Sequence, residues 1–126
     1  MPSLTKGPTV GDLLKFDLDK NYTHEVVTLA SGTAYKQGAV LGQITASGKF
    51  TMATATGSTG EESAAAVLLA DVDASSADAA GVVIKRGPAI LSRAALVFGS
   101  TVDNDTKRNA KIADLTALGI VTRTTA

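Results

Sequence analysis

Residues 64–72 read AAAVLLADV, a nearly continuous apolar run that decides the fold class. Alanine and leucine favour helices by intrinsic propensity, yet a short apolar run is equally typical of a buried strand. Ser75, Ser76 and Gly81 bound the run closely, and the segments on either side of it have strand patterns. We therefore predict a buried strand here, within a β-rich core.

The segments around this run predict a series of short strands. Residues 25–30 (EVVTLA) are rich in β-branched side chains and end at the turn pair Ser31-Gly32. Residues 56–62 (TGSTGEE) have the composition of a loop. Pro88 has no backbone N–H, so it predicts a bend, a bulge or an edge position. Further strands are predicted at residues 39–45, 49–54, 82–84, 89–91 and 95–98, with a Ser47-Gly48 hairpin between the first two.

Residues 105–118 change to a helical pattern. The large apolar side chains there recur at three-residue steps, at Ile112, Leu115 and Leu118. An Asp or Asn within residues 103–105 can cap the helix N-terminus, and Gly119 is placed to end it. Strand character resumes after that glycine. The sequence thus predicts a small β-rich α+β domain of short strands with one substantial helix near the C-terminus.

The sequence predicts that residues 1–22 form a flexible N-terminal arm. It predicts that residues 23–126 form a β-rich domain. Proline and glycine interrupt the first half of the arm, and Phe16 and Leu18 alternate with charged residues in its second half. That period-two pattern indicates an arm that can become a strand. A plain disordered terminus rarely carries so many large apolar residues. They are Leu4, Val10, Leu13, Leu14, Phe16 and Leu18.

Composition excludes several functional classes. The 126 residues include 12 basic and 12 acidic side chains, so the formal net charge is +0. A nucleic-acid binder or a polybasic membrane anchor normally carries a basic surplus. No apolar stretch approaches the length of a membrane span or of a secretion signal. We therefore expect neither nucleic acid nor membrane as a partner.

Catalytic and metal-binding patterns are absent from the sequence. Cysteine is missing, and His24 is the single histidine. Residues 103–105 (DND) begin like a calcium loop, but Arg108 stands where the loop needs glycine and Asp114 where it needs glutamate. No phosphate-cradling glycine pattern occurs. We predict that the protein is not an enzyme and has no catalytic residues, no metal, no cofactor and no small-molecule substrate.

Charge is segregated along the chain although it sums to zero. All charged residues in residues 61–78 are acidic, and all those in residues 85–93 are basic. Such blocks suit neighbouring strands, two solvated surfaces, or complementary faces of two copies of the chain. The last of these readings predicts an interface between subunits that contains Asp71, Asp73, Arg86 and Arg93.

Five blocks resemble the bacteriophage head-decoration, or capsid-stabilising, protein family of the lambda type. The first combines residues 16–19 (FDLD) with residues 23–32 (THEVVTLASG), and the next is residues 38–45 (GAVLGQIT). The others are residues 66–74, 82–89 and 117–123. The blocks follow one another in the family's order across most of residues 15–123, whereas residues 1–14 lie outside the resemblance.

This resemblance implies a structural protein of the virion. Family members form trimers at three-fold and quasi-three-fold positions on the outer surface of the expanded capsid and resist the pressure of packaged DNA. The implied partners are the major capsid protein and other copies of the chain. The resemblance also implies that the protein is made in the host cytoplasm. We expect the arm to pair as a strand with an exposed sheet edge of the major capsid protein. The expected contacts are Val10, Leu13, Leu14, Phe16 and Leu18.

A second reading stays open, because residues 38–44 also resemble a strand pair of biotinyl or lipoyl carrier domains. Such carriers need a modified lysine at the tip of a hairpin. Lys49 is the nearest candidate, but its flanking residues do not match the carrier pattern. An accessory β domain of an enzyme is a third possibility that the sequence leaves open.

Overall fold

The computed structural model describes residues 13–17 and 23–123 of the chain. Within this part the backbone forms short strands, one turn of 3₁₀ helix at Arg93–Ala95, and one α-helix, α1, at Asp105–Ala117. The strands are β1 (Leu14–Asp17), β2 (His24–Leu29), β3 (Thr33–Tyr35), β4 (Val40–Gln43), β5 (Phe50–Met52), β6 (Ala66–Leu68), β7 (Val72–Ala74), β8 (Ala79–Ile84), β9 (Ala89–Ser92) and β10 (Ile120–Arg123).

Five of these strands close into a small barrel in the order β2-β5-β4-β6-β8. Its interior is filled by side chains of one hydrophobic cluster, among them Leu29, Tyr35, Leu41 and Phe50. The run that decides the fold class is confirmed as a buried strand, since all three residues of β6 are buried between β4 and β8. It is shorter than predicted, because the chain turns after Leu69 and re-enters a sheet as β7, which pairs with β3.

A second, three-stranded sheet has the order β1-β9-β10. Its central strand β9 runs antiparallel to β1 and parallel to β10. Helix α1 packs against this sheet, and Ile112 and Leu115 share a hydrophobic cluster with Leu13, Leu91 and Ile120. The domain therefore has two adjoining cores, one inside the barrel and one beneath the helix.

The helix follows the sequence prediction closely at both ends. The Asn104 side chain accepts a hydrogen bond from the Lys107 backbone N–H at 2.9 Å, which identifies the capping residue among the three candidates. Gly119, with φ +85°, follows the helix where a left-handed residue is needed. The prediction was wrong for Leu118, which is 40% exposed because it is the C-terminal cap and lies outside the packed face.

Two further predictions need correction. Residues 95–98 were predicted as a strand, but they follow a 3₁₀ turn and form only an isolated bridge between Val97 and Ala39. The three-residue strand β3 was not predicted, because its length is too short for an alternating pattern to be visible. The loop at residues 56–62 is confirmed, since no strand or helix occurs there.

Helix α1 also fastens that loop to the domain. Lys111 is buried, and its ammonium group donates a hydrogen bond to the carbonyl oxygen of Glu62. One turn further on, the Asp114 carboxylate accepts a hydrogen bond from the backbone N–H of Ala64 at 3.0 Å. A buried ammonium group without such an acceptor would be costly, so this contact fixes the loop against the helix.

Candidate interaction surfaces

The described residues offer no catalytic constellation. Residues 13–17 and 23–123 contain no group of three or more histidine and acidic side chains placed to hold a metal ion. His24 begins β2, where its Cα partner in the sheet is Ile84. Within the same part of the chain, no helix is long and apolar enough to cross a membrane.

Residues 13–17 of the predicted arm take part in the folded domain. Leu13 is fully buried in the cluster beneath helix α1, and Leu14 packs against that cluster. Residues 14–17 form β1, which pairs with β9 of the same chain, with Phe16 opposite Ile90. The sequence predicted that this segment could pair as a strand with a sheet edge. In the structure, β1 pairs in this way with β9 of its own chain.

The predicted capsid contacts consequently fall into two groups. Leu13 and Leu14 lie in or against the core, so their side chains contact the domain itself. Val10 and Leu18 lie outside the described residues, and for Phe16 only the backbone is described. A capsid contact by any of the five stays a prediction.

Arg86, one of the four predicted interface charges, is engaged within its own chain. Its guanidinium donates to the Glu25 carboxylate at 2.8 Å, and the Lys85 ammonium lies 3.5 Å from the other Glu25 oxygen. The hydrogen bond from Arg86 is the largest cause that holds the pKa of Glu25 below its usual range. This cluster joins β2 to the end of β8, where the sequence analysis had expected charges between subunits.

The other three predicted charges lie on exposed positions. Asp73 accepts hydrogen bonds from the hydroxyl and the backbone N–H of Ser75, and these hold the pKa of Asp73 below its usual range. Asp71 accepts from the backbone N–H of Gln37 at 2.7 Å. Arg93 donates to the neutral hydroxyl of Thr122 at 3.3 Å. Among the described residues neither Asp71 nor Arg93 forms an ion pair, so both keep an unneutralised charge.

One segment, residues 94–98, which we call the ridge, exposes Ala94 and Val97, whereas Leu96 is buried in the core. Val97 on the ridge is 38% exposed, and its backbone bonds to Gly38 and Val40 hold it against the barrel. Gly38 has φ +90°, and a Cβ atom there would overlap the Ala95 carbonyl oxygen. The composition of residues 95–98 resembles that of a strand, so the sequence analysis did not predict this arrangement.

Several grooves border the ridge, and two of them contain a predicted interface charge. We call the first the helix groove; it lies between the ridge and α1, and its lining includes Arg93, Leu96 and Ile112. We call the second the hairpin groove; it lies between the ridge and the β3–β7 pair, and its lining includes Lys36 and Asp71. Two of the predicted interface charges, Arg93 and Asp71, therefore lie on either side of one apolar ridge.

A separate apolar patch lies on the outer face of the barrel. Val26 on β2 is 67% exposed, and its register partner Val82 on β8 is 41% exposed. The next pair along the same strands, Thr28 and Ala80, is also exposed. This face is therefore uncharged over two successive residue pairs.

Lys49, the residue that a carrier domain would modify, is engaged in an ion pair. Its ammonium lies 2.5 Å from the Asp78 carboxylate, beside the turn that joins β4 to β5. The hydrogen bond from Lys49 is the largest cause that keeps the pKa of Asp78 below its usual range. The contact ties the hairpin to the segment that precedes β8.

Comparison with known families decides between the readings of the sequence. The sequence model of the family described as bacteriophage lambda head decoration protein D matches residues 3–120. The chain belongs to this family. The match extends through both cores, helix α1 and the start of β10. No curated protein sequence matches the chain.

Family membership makes the chain a phage head decoration protein and a component of the virion capsid. The family is structural rather than catalytic. It implies association with the phage capsid. The resemblance noted from five sequence blocks is thereby confirmed, and the match begins at residue 3, before the first of those blocks.

Proposed function

We propose that the protein binds the outer surface of the expanded phage capsid as trimers, at three-fold and quasi-three-fold positions. There it stabilises the shell against the outward pressure of packaged DNA. Its partners are the major capsid protein and further copies of itself. The match to the head decoration family over residues 3–120 carries this proposal.

The N-terminal arm supplies the capsid contact in this proposal. An extended segment that adds to an exposed sheet edge gains main-chain hydrogen bonds whatever its sequence, and alternate side chains set the register. Val10 and Leu18 are its apolar anchors, with Phe16 on the strand that leads into the domain. Three arms on one trimer act at high effective concentration, so that each single contact can be weak.

The position of β1 bears on how the arm is attached. Because β1 pairs with the central strand β9, residues 14–17 fix the place where the arm leaves the domain. Leu13 in the core reinforces this anchor. Residues 1–12 can then reach a neighbouring surface while β1 stays in its sheet.

Deletion of residues 1–12 tests the arm without removing β1. We expect the shortened protein to keep its circular dichroism spectrum and its thermal transition, and to lose sedimentation with expanded shells of the cognate phage. The matched control is Leu13→Ala in the full chain. That variant keeps the arm but loses roughly 2–5 kcal/mol of stability, because it leaves a cavity in the core.

The two variants separate the possible outcomes. Unchanged shell binding after deletion of residues 1–12 would show that this part of the arm, Val10 included, is not the capsid contact. If Leu13→Ala loses shell binding at a temperature where it is still folded, the capsid contact depends on β1 and on the core packing of Leu13. Failure of the full-length protein to bind expanded shells at all would refute the proposed function.

A further inference from the structure

We infer that residues 9–12 of the arm dock into the helix groove of their own chain while the protein is free, and leave that groove when the protein binds a capsid. Val10 packs on the apolar floor of the groove, and the Asp12 carboxylate pairs with Arg93. The docking concerns the free chain alone. The release rests on the proposed function, in which the same arm is the capsid contact.

The chain enters the folded domain beside this groove. Strand β1 begins at Leu14, which lies opposite Leu91 near the end of β9, and the two strands are antiparallel. The residues before Leu14 therefore approach the sheet at the end where β9 leads into Arg93, which lines the groove. Leu13 is fully buried in the same hydrophobic cluster as Leu96, another residue of the groove lining.

The floor of the helix groove is an apolar surface of the core. Leu96 and Ile112 belong to the buried cluster, and Phe98 is partly buried against it. Val10 precedes the first described residue by three positions, a separation that an extended chain spans in about 10 Å. This apolar side chain of the arm is therefore within reach of an apolar surface that borders the core.

The charge of the groove complements the charge of the segment that reaches it. Arg108 pairs with Asp105 at 2.7 Å, whereas Arg93 donates to a neutral hydroxyl and forms no ion pair among the described residues. The groove lining thus has a net positive charge. Residues 1–12 contain one acidic side chain, Asp12, at the position nearest to the domain. An acidic group there faces the unneutralised arginine.

The short connection favours the chain's own arm over the arm of a neighbour. Residues joined directly to the edge of the groove are present there at high effective concentration. One apolar side chain and one exposed ion pair make a weak contact. A capsid edge that offers main-chain hydrogen bonds to an extended arm can therefore displace it. Until then, docking keeps the arm from pairing with sheet edges of other copies.

Quenching of a bimane label by tryptophan measures the docking, because the chain has neither cysteine nor tryptophan. Asn109 is exposed and lines the groove, so Asn109→Cys carries the label, and Thr9→Trp places the quencher next to Val10. We expect the free protein with both substitutions to fluoresce less than labelled Asn109→Cys alone. Ala110→Cys, exposed on the same helix but not part of the groove lining, is the matched control and should show little quenching.

Charge variants of the labelled protein test the ion pair. Asp12→Lys should lower the ratio of docked to released arm by about threefold or more, the scale of an exposed ion pair. Asp12→Lys together with Arg93→Glu should restore the ratio, since the reversed charges again attract each other. Equal quenching in all three proteins would overturn the pairing of Asp12 with Arg93.

Mixing and shell binding decide the remaining points. Quenching between separate Thr9→Trp and labelled Asn109→Cys proteins would assign the groove to a neighbour's arm and overturn the contact within one chain. Expanded shells should restore the fluorescence of the doubly substituted protein as the arm leaves the groove. Quenching that persists on shells would overturn the release.

The same measurements separate the docking from the proposed function. A free protein that shows no quenching and still binds expanded shells would overturn the docking and leave the proposed function standing. Quenching in a free protein that never binds expanded shells would refute the proposed function and leave the docking standing.

Discussion

Glu25 connects a single ionisation to the stability of the barrel. Its carboxylate is bonded to Arg86 at 2.8 Å, and that bond is the main reason why the pKa of Glu25 lies below its usual range. A carboxyl whose pKa is lowered by folding stabilises the protein above its unfolded pKa. This contribution is lost as the pH falls through the folded pKa. Because the Glu25 side chain is 40% exposed, solvent screening keeps the contribution at roughly 0–1 kcal/mol.

Glu25→Gln should therefore lower the free energy of unfolding at neutral pH by at most about 1 kcal/mol. The difference from the natural protein should shrink as the pH is lowered into the acid range, where the natural carboxyl is protonated as well. Urea unfolding at several pH values measures both effects. In an Arg86→Met background the same substitution should have little effect. An undiminished difference at acid pH would show that the glutamine disturbs packing rather than an ion pair.

The N-terminus of helix α1 is capped by Asn104, the residue that precedes the helix. The Asn104 side-chain oxygen satisfies the backbone N–H of Lys107, one of the donors that a helix N-terminus leaves without an intrahelical partner. Asn104→Ala should lower the free energy of unfolding by about 1 kcal/mol. Asn109→Ala, on an exposed position of the same helix, is the matched control and should be neutral or slightly stabilising. Equal losses for the two variants in urea unfolding would exclude a capping role for Asn104.

The same helix shows how far sequence reasoning reaches at the scale of an element. Its capping candidates, apolar spacing and terminal glycine are local signals, so its bounds were predicted within one residue. The β6 strand was identified, but its end was not, because the turn after Leu69 depends on where β7 finds a partner. The ridge was misread as a strand, since its place is fixed by Gly38 far away in the sequence. Contacts of that kind leave no periodicity in the segment itself.

Interaction residues were harder to predict than elements for the same reason. Segregation of acidic and basic blocks predicted Asp71 and Arg93 as interface charges, and both lie on exposed positions of the described chain. It could not show that Arg86 meets Glu25, because β2 and β8 are far apart in sequence and adjacent only in the barrel. Likewise, the apolar residues of the arm look alike in sequence, whereas the sheet places Leu13 in the core.

At the scale of the whole molecule, zero net charge suits the proposed assembly of many copies on one capsid. With 12 basic and 12 acidic side chains, many copies can sit side by side without collective repulsion. Some of these charges are paired within the chain, as Lys49 is with Asp78, whereas Asp71, Asp73 and Arg93 form no ion pair among the described residues.

Decoration should stabilise the shell by mass action. A ligand that binds the expanded lattice and not its dissociated or unexpanded forms adds roughly 2.7 kcal/mol per site when its free concentration is about 100 times Kd. The temperature at which empty expanded shells fall apart should therefore rise with the concentration of free protein, and go on rising after the sites are full. Light scattering during a thermal ramp measures this disassembly temperature. Unexpanded shells should show no such rise, nor should expanded shells mixed with protein lacking residues 1–12. An equal rise for unexpanded shells would mean that the protein recognises the capsid protein itself rather than the lattice that expansion creates.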